Sequence, residues 1–161
     1  MSGTVHLVEL REGGSQDLYS VNNIMQDAFD SRYGEAWTSA QCLGMLSLPG
    51  VWLVMASIDG EDAGFALSRA TVDEVELLLL ATRPSARRRG VGGALLRAVI
   101  DEASNRNTVR VHLEVRSGNE AVHLYRREGF GKVGERRDYY RGRGGQLFDA
   151  HTYARDIIVP I

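Results

Sequence analysis

Arg87-Arg88-Arg89-Gly90-Val91-Gly92-Gly93 is the stretch that most narrows what this chain can fold into. It follows an apolar run, Val75 to Thr82, that reads as a strand buried on both faces. It precedes Val91, Leu95, Ala98, Val99 and Ala103, which recur at helical spacing and predict a helix over about residues 90–104. A strand, a glycine turn and a helix start therefore meet here. The first N–H groups of a helix have no internal partners and point at whatever lies in front. The helix dipole adds about 0.3–1 kcal/mol of preference for an anion. Glycines let that backbone approach a ligand closely, and three arginines add positive charge. A pyrophosphate fits such a place. The loop is not a Walker loop, because no Gly-Lys-Ser/Thr follows. Nor is it a dinucleotide fingerprint, because the third glycine and a preceding βαβ unit are both missing. Taken alone, it can also be a flexible helix start with solvated arginines.

The rest of the chain organises around this core. Val5 to Leu10 alternates as a first strand, and Leu18, Val21, Ile24, Met25, Ala28 and Phe29 recur as a helix face. Thr38 and Gln41 have capping-box spacing, with Trp37 placed to staple the helix entry, and Pro49-Gly50 ends that helix. Val51 to Ile58 and Ala63 to Thr71 read as a hairpin turned at Asp59-Gly60. Val109, Val111, Leu113 and Val115 alternate with Arg110, His112, Glu114 and Arg116 as another strand. Ser117 and Glu120 have capping-box spacing for a helix running to about Glu128 and ending at Gly129. Lys132 to Tyr140 and Gln146 to Ile157 read as two final strands. The order β-α-α-β-β-β-α-β-α-β-β describes an α/β layer with a mixed sheet. No repeat or linker divides it, so residues 1–161 are expected to form one domain.

Charge singles out the same half of the molecule. Residues 1–80 carry 3 Arg against 12 acids, a net −9, whereas residues 81–161 carry 15 Arg and 1 Lys against 9 acids, a net +7. An anionic ligand is expected in the second half. Nucleic acid is the weaker reading, because the arginines are scattered and lack an aromatic stacking array. No apolar run approaches the ~18 residues of a membrane span, and Met1 to Leu10 does not read as a signal peptide, so a cytoplasmic protein is the default expectation. Cys42 is the only cysteine, which excludes an internal disulfide, and its apolar neighbours suggest core packing. His6, His112, His123 and His151 show no ligand spacing, so no metal is expected.

These motifs together resemble the GNAT superfamily of N-acetyltransferases over nearly the whole chain. Ala81-Thr82-Arg83-Pro84 followed by Arg87-x-x-Gly90-x-Gly92 is similar to its acetyl-CoA motif. Leu113-Glu114-Val115-Arg116, Asn119, Leu124-Tyr125, Gly129-Phe130 and Arg136 to Tyr140 resemble the RimI-like ribosomal-protein alanine N-acetyltransferases. Glu35-Ala36-Trp37-Thr38 echoes that group's Pro-Trp-Ser. Two departures stand out. Asn119 lies six residues before Tyr125, one fewer than usual, which leaves Asn119 open to a capping role; Ala36 replaces the proline. The resemblance implies a mixed, mostly antiparallel sheet of about seven strands, splayed between the fourth and fifth and flanked by about four helices. It implies acetyl-CoA as cosubstrate, its arm held at the backbone of Leu80, Ala81 and Thr82. Its pyrophosphate would sit on Arg87, Arg88, Arg89, Gly90, Val91, Gly92 and Gly93, with Asn119 and Tyr125 completing the cofactor contacts.

Direct acetyl transfer requires a neutral amine, a polarised thioester carbonyl and a proton for the leaving thiolate. Glu114, on the polar face of its strand, is the first candidate base, in a role worth about 10²–10⁴-fold. The plainer reading pairs it with Arg110 or Arg116. Glu76, a carboxylate in an apolar strand, is the rival, and His112 a third choice. Tyr125 matches the family's acid for the thiolate, or else packs on the sheet. Trp37, Tyr139 and Tyr140 are candidate walls of the acceptor groove. An α-amine has a pKa of about 8 and a lysine about 10.4. A modest base such as Glu114 therefore suits an N-terminal acceptor. The reading is an acetyltransferase acting on a protein N-terminal α-amine, such as that of a ribosomal protein, as a monomer or weak dimer. A small-molecule amine acetyltransferase and a non-catalytic acyl-CoA-binding regulatory domain remain open alternatives.

Overall fold

A computed structural model describes residues 7–157. The elements follow the expected order: β1 (Val8–Glu12), α1 (Leu18–Ala28), α2 (Ser39–Leu46), β2 (Val51–Ile58), β3 (Glu61–Ala70), β4 (Glu74–Thr82), α3 (Val91–Asn105), β5 (Arg110–Arg116), α4 (Ala121–Arg127), β6 (Gly131–Arg141) and β7 (Leu147–Asp156). Val5 and His6, expected in the first strand, lie outside the described residues, and β1 runs two residues further than expected, to Glu12. The seven strands form one sheet in the order β1-β2-β3-β4-β5-β7-β6. Every neighbouring pair is antiparallel except β4 and β5, which α3 joins as a parallel crossover.

Two apolar clusters cover the two faces. One joins α3 and Tyr125 of α4 to Val75, Leu77, Val111, Leu113 and Val115; Leu95, Leu96 and Val99 within it are fully buried. The other sets Val21, Ile24, Met25 and Cys42 of α1 and α2 against Leu53, Met55, Phe65, Leu67, Leu79 and Ala81. Cys42 is plain core, as expected, and burial raises its thiol pKa.

β4 is covered on both faces, as expected, but not by a simple run. Buried and partly buried residues alternate along it, with Leu78 packed on the α1–α2 cluster and Leu80 on the α3 cluster. Its apolar run arises because Leu67 pairs with Leu79 while Ser68 pairs with Leu77, which leaves Leu78 as an extra residue. This bulge inverts the strand. Val75 and Leu77 face α3, whereas Leu79 and Ala81 face α1 and α2. Both faces thus need apolar residues in turn, which a sequence pattern registers as a continuous run.

Smaller differences have local causes. Val109 precedes β5 and is half exposed; its N–H donates to Asp73 O and its C=O accepts from Ile157 N. Ser117 does not cap α4; the Asn119 side chain instead accepts from Ala121 N at 2.8 Å. The Thr38–Gln41 capping box forms as expected, in both directions, at 3.1 and 2.8 Å. Trp37 packs against the α1–α2 cluster beside it. Among the described residues, no helix is long and apolar enough to cross a membrane.

Candidate active site

The opening in the sheet follows from the pairing of β4 and β5. Their parallel register runs only from Glu74 with Arg110 to Leu77 with Leu113. Beyond that rung Leu79 to Thr82 pair with β3 alone, so the β4 edge toward β5 is free over Leu80, Ala81 and Thr82. Unpaired backbone groups at a sheet edge offer a ready ladder for an extended, amide-bearing ligand. Glu114 is the first β5 residue past the last rung.

The helix start lies at the end of the same β4 edge. Gly90 caps α3 at φ 84°, a left-handed conformation suited to glycine, and a Cβ there would meet nothing within 4 Å. Ala94 N is the first amide in this turn to bond back, to Gly90 O at 3.0 Å. The N–H groups of Val91, Gly92 and Gly93 are left to face outward, as an anion requires. Arg88 and Arg89 are exposed beside them. Arg87 is committed elsewhere, because its guanidinium donates to Ala28 O at the end of α1, at 3.2 Å. This open space, fan of amides and free strand edge fit a nucleotide diphosphate with an amide-containing arm.

The polar face of β5 carries the titratable groups. Glu114 is 11% exposed. Thr152 of β7 donates to its Oε2 at 2.8 Å and Arg136 of β6 pairs with its Oε1 at 3.2 Å. Its partners therefore come from neighbouring strands, not from Arg110 or Arg116 as the β5 sequence alone suggests. Arg136 stands where the register places it, opposite Ala150 on the Thr152 side of the sheet. One rung earlier, His112 lies between two carboxylates, 3.9 Å from Glu74 and 3.9 Å from Glu76, and Arg69 is 3.8 Å from Glu76. Glu76 is thus held in a loose charged cluster on the paired part of the sheet, one step before the opening.

Two tyrosines meet at the opening. Tyr125 is buried, edge-on to Phe130 at 6.0 Å between ring centres. Tyr140 donates its hydroxyl to Glu114 O at 3.3 Å. Burial, and then the charge of Glu35, push both hydroxyls above the ordinary tyrosine pKa; Tyr140 is further raised by Tyr139, Glu114 and Tyr125. Tyr139 stacks edge-on against Tyr140 at 4.9 Å and lies 5.4 Å beneath Arg136, half exposed. Trp37 is set apart from this group, in the wall of a shallow groove of about 420 Å³ with Ala40, Gln41, Gly44, Met45 and Leu48.

Sequence reasoning did not single out Glu35. It follows a 3-10 turn at Ser31–Tyr33, and its carboxylate accepts from Arg116 Nε at 3.0 Å and Asn119 Nδ2 at 2.8 Å. Both ends of the Asn119 amide are therefore engaged within the protein. The segment carrying Glu35 also docks on the β6–β7 turn. A Cβ on Gly34 would collide with the carbonyl of Arg141, and one on Gly142 with the carbonyl of Arg32. No local sequence signal pairs residues 81 and 84 positions apart.

Comparison with known proteins bears on this geometry. The Acetyltransferase (GNAT) family model matches residues 18–130. The chain belongs to this family. It is 39% identical over 127 residues to the N-alpha-acetyltransferase RimI of Mycobacterium tuberculosis, covering 76% of this chain and 77% of that protein. It is 38% identical over 89 residues to the ribosomal protein bS18-alanine N-acetyltransferase of Escherichia coli, a match spanning 55% of this chain and 60% of that enzyme's length. In structure it is similar to the ribosomal-protein-S18-alanine N-acetyltransferase from Escherichia coli, with a TM-score of 0.83, 28% identity, and coverage of 96% and 97% of the two chains. The splayed, mostly antiparallel seven-stranded sheet is thus the GNAT fold. An Arabidopsis thaliana NAA60 solved with acetyl-CoA shares this fold at a TM-score of 0.79 and 22% identity, covering 94% of this chain and 99% of that one.

Proposed function

We propose that this GNAT protein transfers the acetyl group of acetyl-CoA to the α-amine of a protein N-terminus, as its RimI relatives are named for doing, with a ribosomal protein as the acceptor. The observation that carries the reading is the convergence at one opening of a free β4 edge, an amide fan, a buried carboxylate and two protonated tyrosines. The amides of Val91, Gly92 and Gly93 bind the pyrophosphate, and Arg88 and Arg89 add charge around it. The backbone of Leu80, Ala81 and Thr82 holds the pantetheine arm, and an N–H there polarises the thioester carbonyl. Asn119 is a helix cap in this account, not a cofactor ligand, because Glu35 and Ala121 already occupy its amide.

Glu114 takes one proton from the α-ammonium, directly or through a water, which frees the nitrogen lone pair. That pair attacks the carbonyl carbon; the C–N bond forms and the C–S bond breaks with its electrons on sulfur. The second N–H proton then neutralises the thiolate. Tyr125 has a narrower part than a simple acid. Its pKa is raised above about 10, whereas a thiol lies near 8.5, so full transfer of its proton to sulfur is uphill. Its hydroxyl instead donates a hydrogen bond to charge building on the sulfur. Tyr139 and Tyr140 of β6 wall the acceptor side, with Trp37 on the segment before α2 as a further wall.

The test is incubation with acetyl-CoA and separate panels of N-terminal peptides, small amines and water, read by thiol release. Release with free N-terminal peptides supports the reading. Release with small amines alone would replace it with a small-molecule acetyltransferase, and tight acetyl-CoA binding without turnover would replace it with a regulatory domain.

A further inference from the structure

Glu35 stands out because a carboxylate on a connecting loop has little reason to be buried. Its side chain is 10% exposed, and that of its partner Arg116 is 13% exposed. Each of its oxygens has one donor, from two different elements: Arg116 at the end of β5 and Asn119 just before α4. Arg116 is itself fixed. Its guanidinium lies 3.6 Å over the Tyr33 ring and donates to Ser117 O at 3.1 Å. Tyr33 in turn meets Phe148 of β7 edge-on at 5.2 Å. Asn119 passes the contact on, since its Oδ1 accepts from Ala121 N in the first turn of α4, the helix that carries Tyr125. The circuit therefore runs from the loop before α2, through the end of β5, to the start of the tyrosine-bearing helix.

A buried ion pair is weak evidence for stability, since desolvation consumes most of its attraction. The loop is also anchored without it, by Tyr33 on Phe148 and by Arg143 N on Ser31 O at 3.1 Å. What the pair adds is geometry. It fixes the distance between the acceptor-side loop and α4 across the opening. Glu35 is moreover close enough to act on the hydroxyls of both Tyr125 and Tyr140. We infer that Glu35 is a positioning residue for acetyl transfer, clasping the acceptor-side loop to the β5–α4 junction so that Tyr125 and Tyr140 face the reacting centre. This rests on the transferase reading above.

Glu35→Gln, Asn119→Ala and their double variant test it. Four quantities are read: Tm, acetyl-CoA affinity by calorimetry, steady-state kcat and KM for an accepted peptide, and hydrogen exchange over residues 29–38 and 117–122. The clasp predicts that Glu35→Gln keeps acetyl-CoA affinity within about twofold and loses about tenfold or more in kcat. It predicts faster exchange in both segments together. The double variant loses no more than the worse single, because both break one contact network. Unchanged kcat/KM in Glu35→Gln overturns the proposal, as do faster exchange in one segment only, or parallel losses of Tm, cofactor affinity and kcat that mark a merely structural role. Wild-type protein inactive on every acceptor overturns the transferase reading as well, and is distinct from an active wild type with an equally active Glu35→Gln.

Discussion

At the scale of single residues, Glu114 and Glu76 differ in what surrounds them. Glu114 lies just past the last β4–β5 rung with one hydroxyl and one guanidinium as partners, whereas Glu76 shares Arg69 and His112 on the paired sheet. Glu114→Gln is expected to lower kcat by about 10²-fold or more, and Glu76→Gln by under about tenfold, compared across several pH values. An unaffected Glu114→Gln enzyme would remove the base from the account. The tyrosines give a second expectation. Burial and Glu35 hold Tyr125 and Tyr140 protonated in the folded state above their unfolded value of about 10. As pH rises past about 10 the unfolded chain ionises first, so their contribution to stability is present below that pH and lost above it. Absorbance titration should show tyrosinate from the exposed residues first, with Tyr125 and Tyr140 appearing only as the protein unfolds. Glu114 and Tyr125 stand out as candidates in the sequence, Glu114 through a strand alternation and Tyr125 through its place before Gly129-Phe130. Glu35 does not, because its partners are distant in sequence and join it only through the fold.

Among the elements, α3 and α2 show how local chemistry fixes the site. Gly90 needs a left-handed φ, and a Cβ there meets strain in the backbone, not crowding from neighbours. Gly90→Ala is therefore expected to cost about 1 kcal/mol or more in chemical denaturation and to weaken acetyl-CoA binding. The Thr38 cap is expected to contribute about 1 kcal/mol, so Thr38→Ala should lower the denaturation midpoint by that amount without changing acetyl-CoA affinity. Both helix starts were readable from sequence, since a glycine run and a capping box are local signals. At the start of α4 the structure favours one of two sequence signals: the Asn119 side chain caps the helix, and the Ser117–Glu120 spacing forms no capping box. The β4 strand and its cover on both faces are readable from the apolar run, but its bulge at Leu78 is not, because an inverted alternation in a mostly apolar strand leaves no mark in the pattern.

Over the whole molecule, the sheet order and its single parallel pair create the opening, and the two halves of the chain that flank it differ in charge. The arginine-rich half supplies the glycine-rich start of α3 and strands β5 to β7, while the acidic half supplies α1, α2 and the first hairpin. Arg11 and Asp17 tie β1 to the start of α1. The hydrogen bonds from Arg11, with help from Gly14 N–H, hold the Asp17 carboxyl below its usual pKa. Its stabilising contribution is present above about pH 4 and is lost as pH falls through the lowered value. The fold as a whole was legible because the order of elements and one glycine-rich helix start leave few topologies. The proposed acceptor side was less legible, since it joins β6 to the segment before α2, which are far apart in sequence. The central claim is that the amine acetylated is an N-terminal α-amine. It is tested most directly by offering one peptide that bears both a free N-terminus and a lysine, then locating the acetyl group by fragmentation mass spectrometry. The account predicts acetyl on the α-nitrogen and an unmodified lysine; acetyl on the lysine side chain, with a free N-terminus, would contradict it.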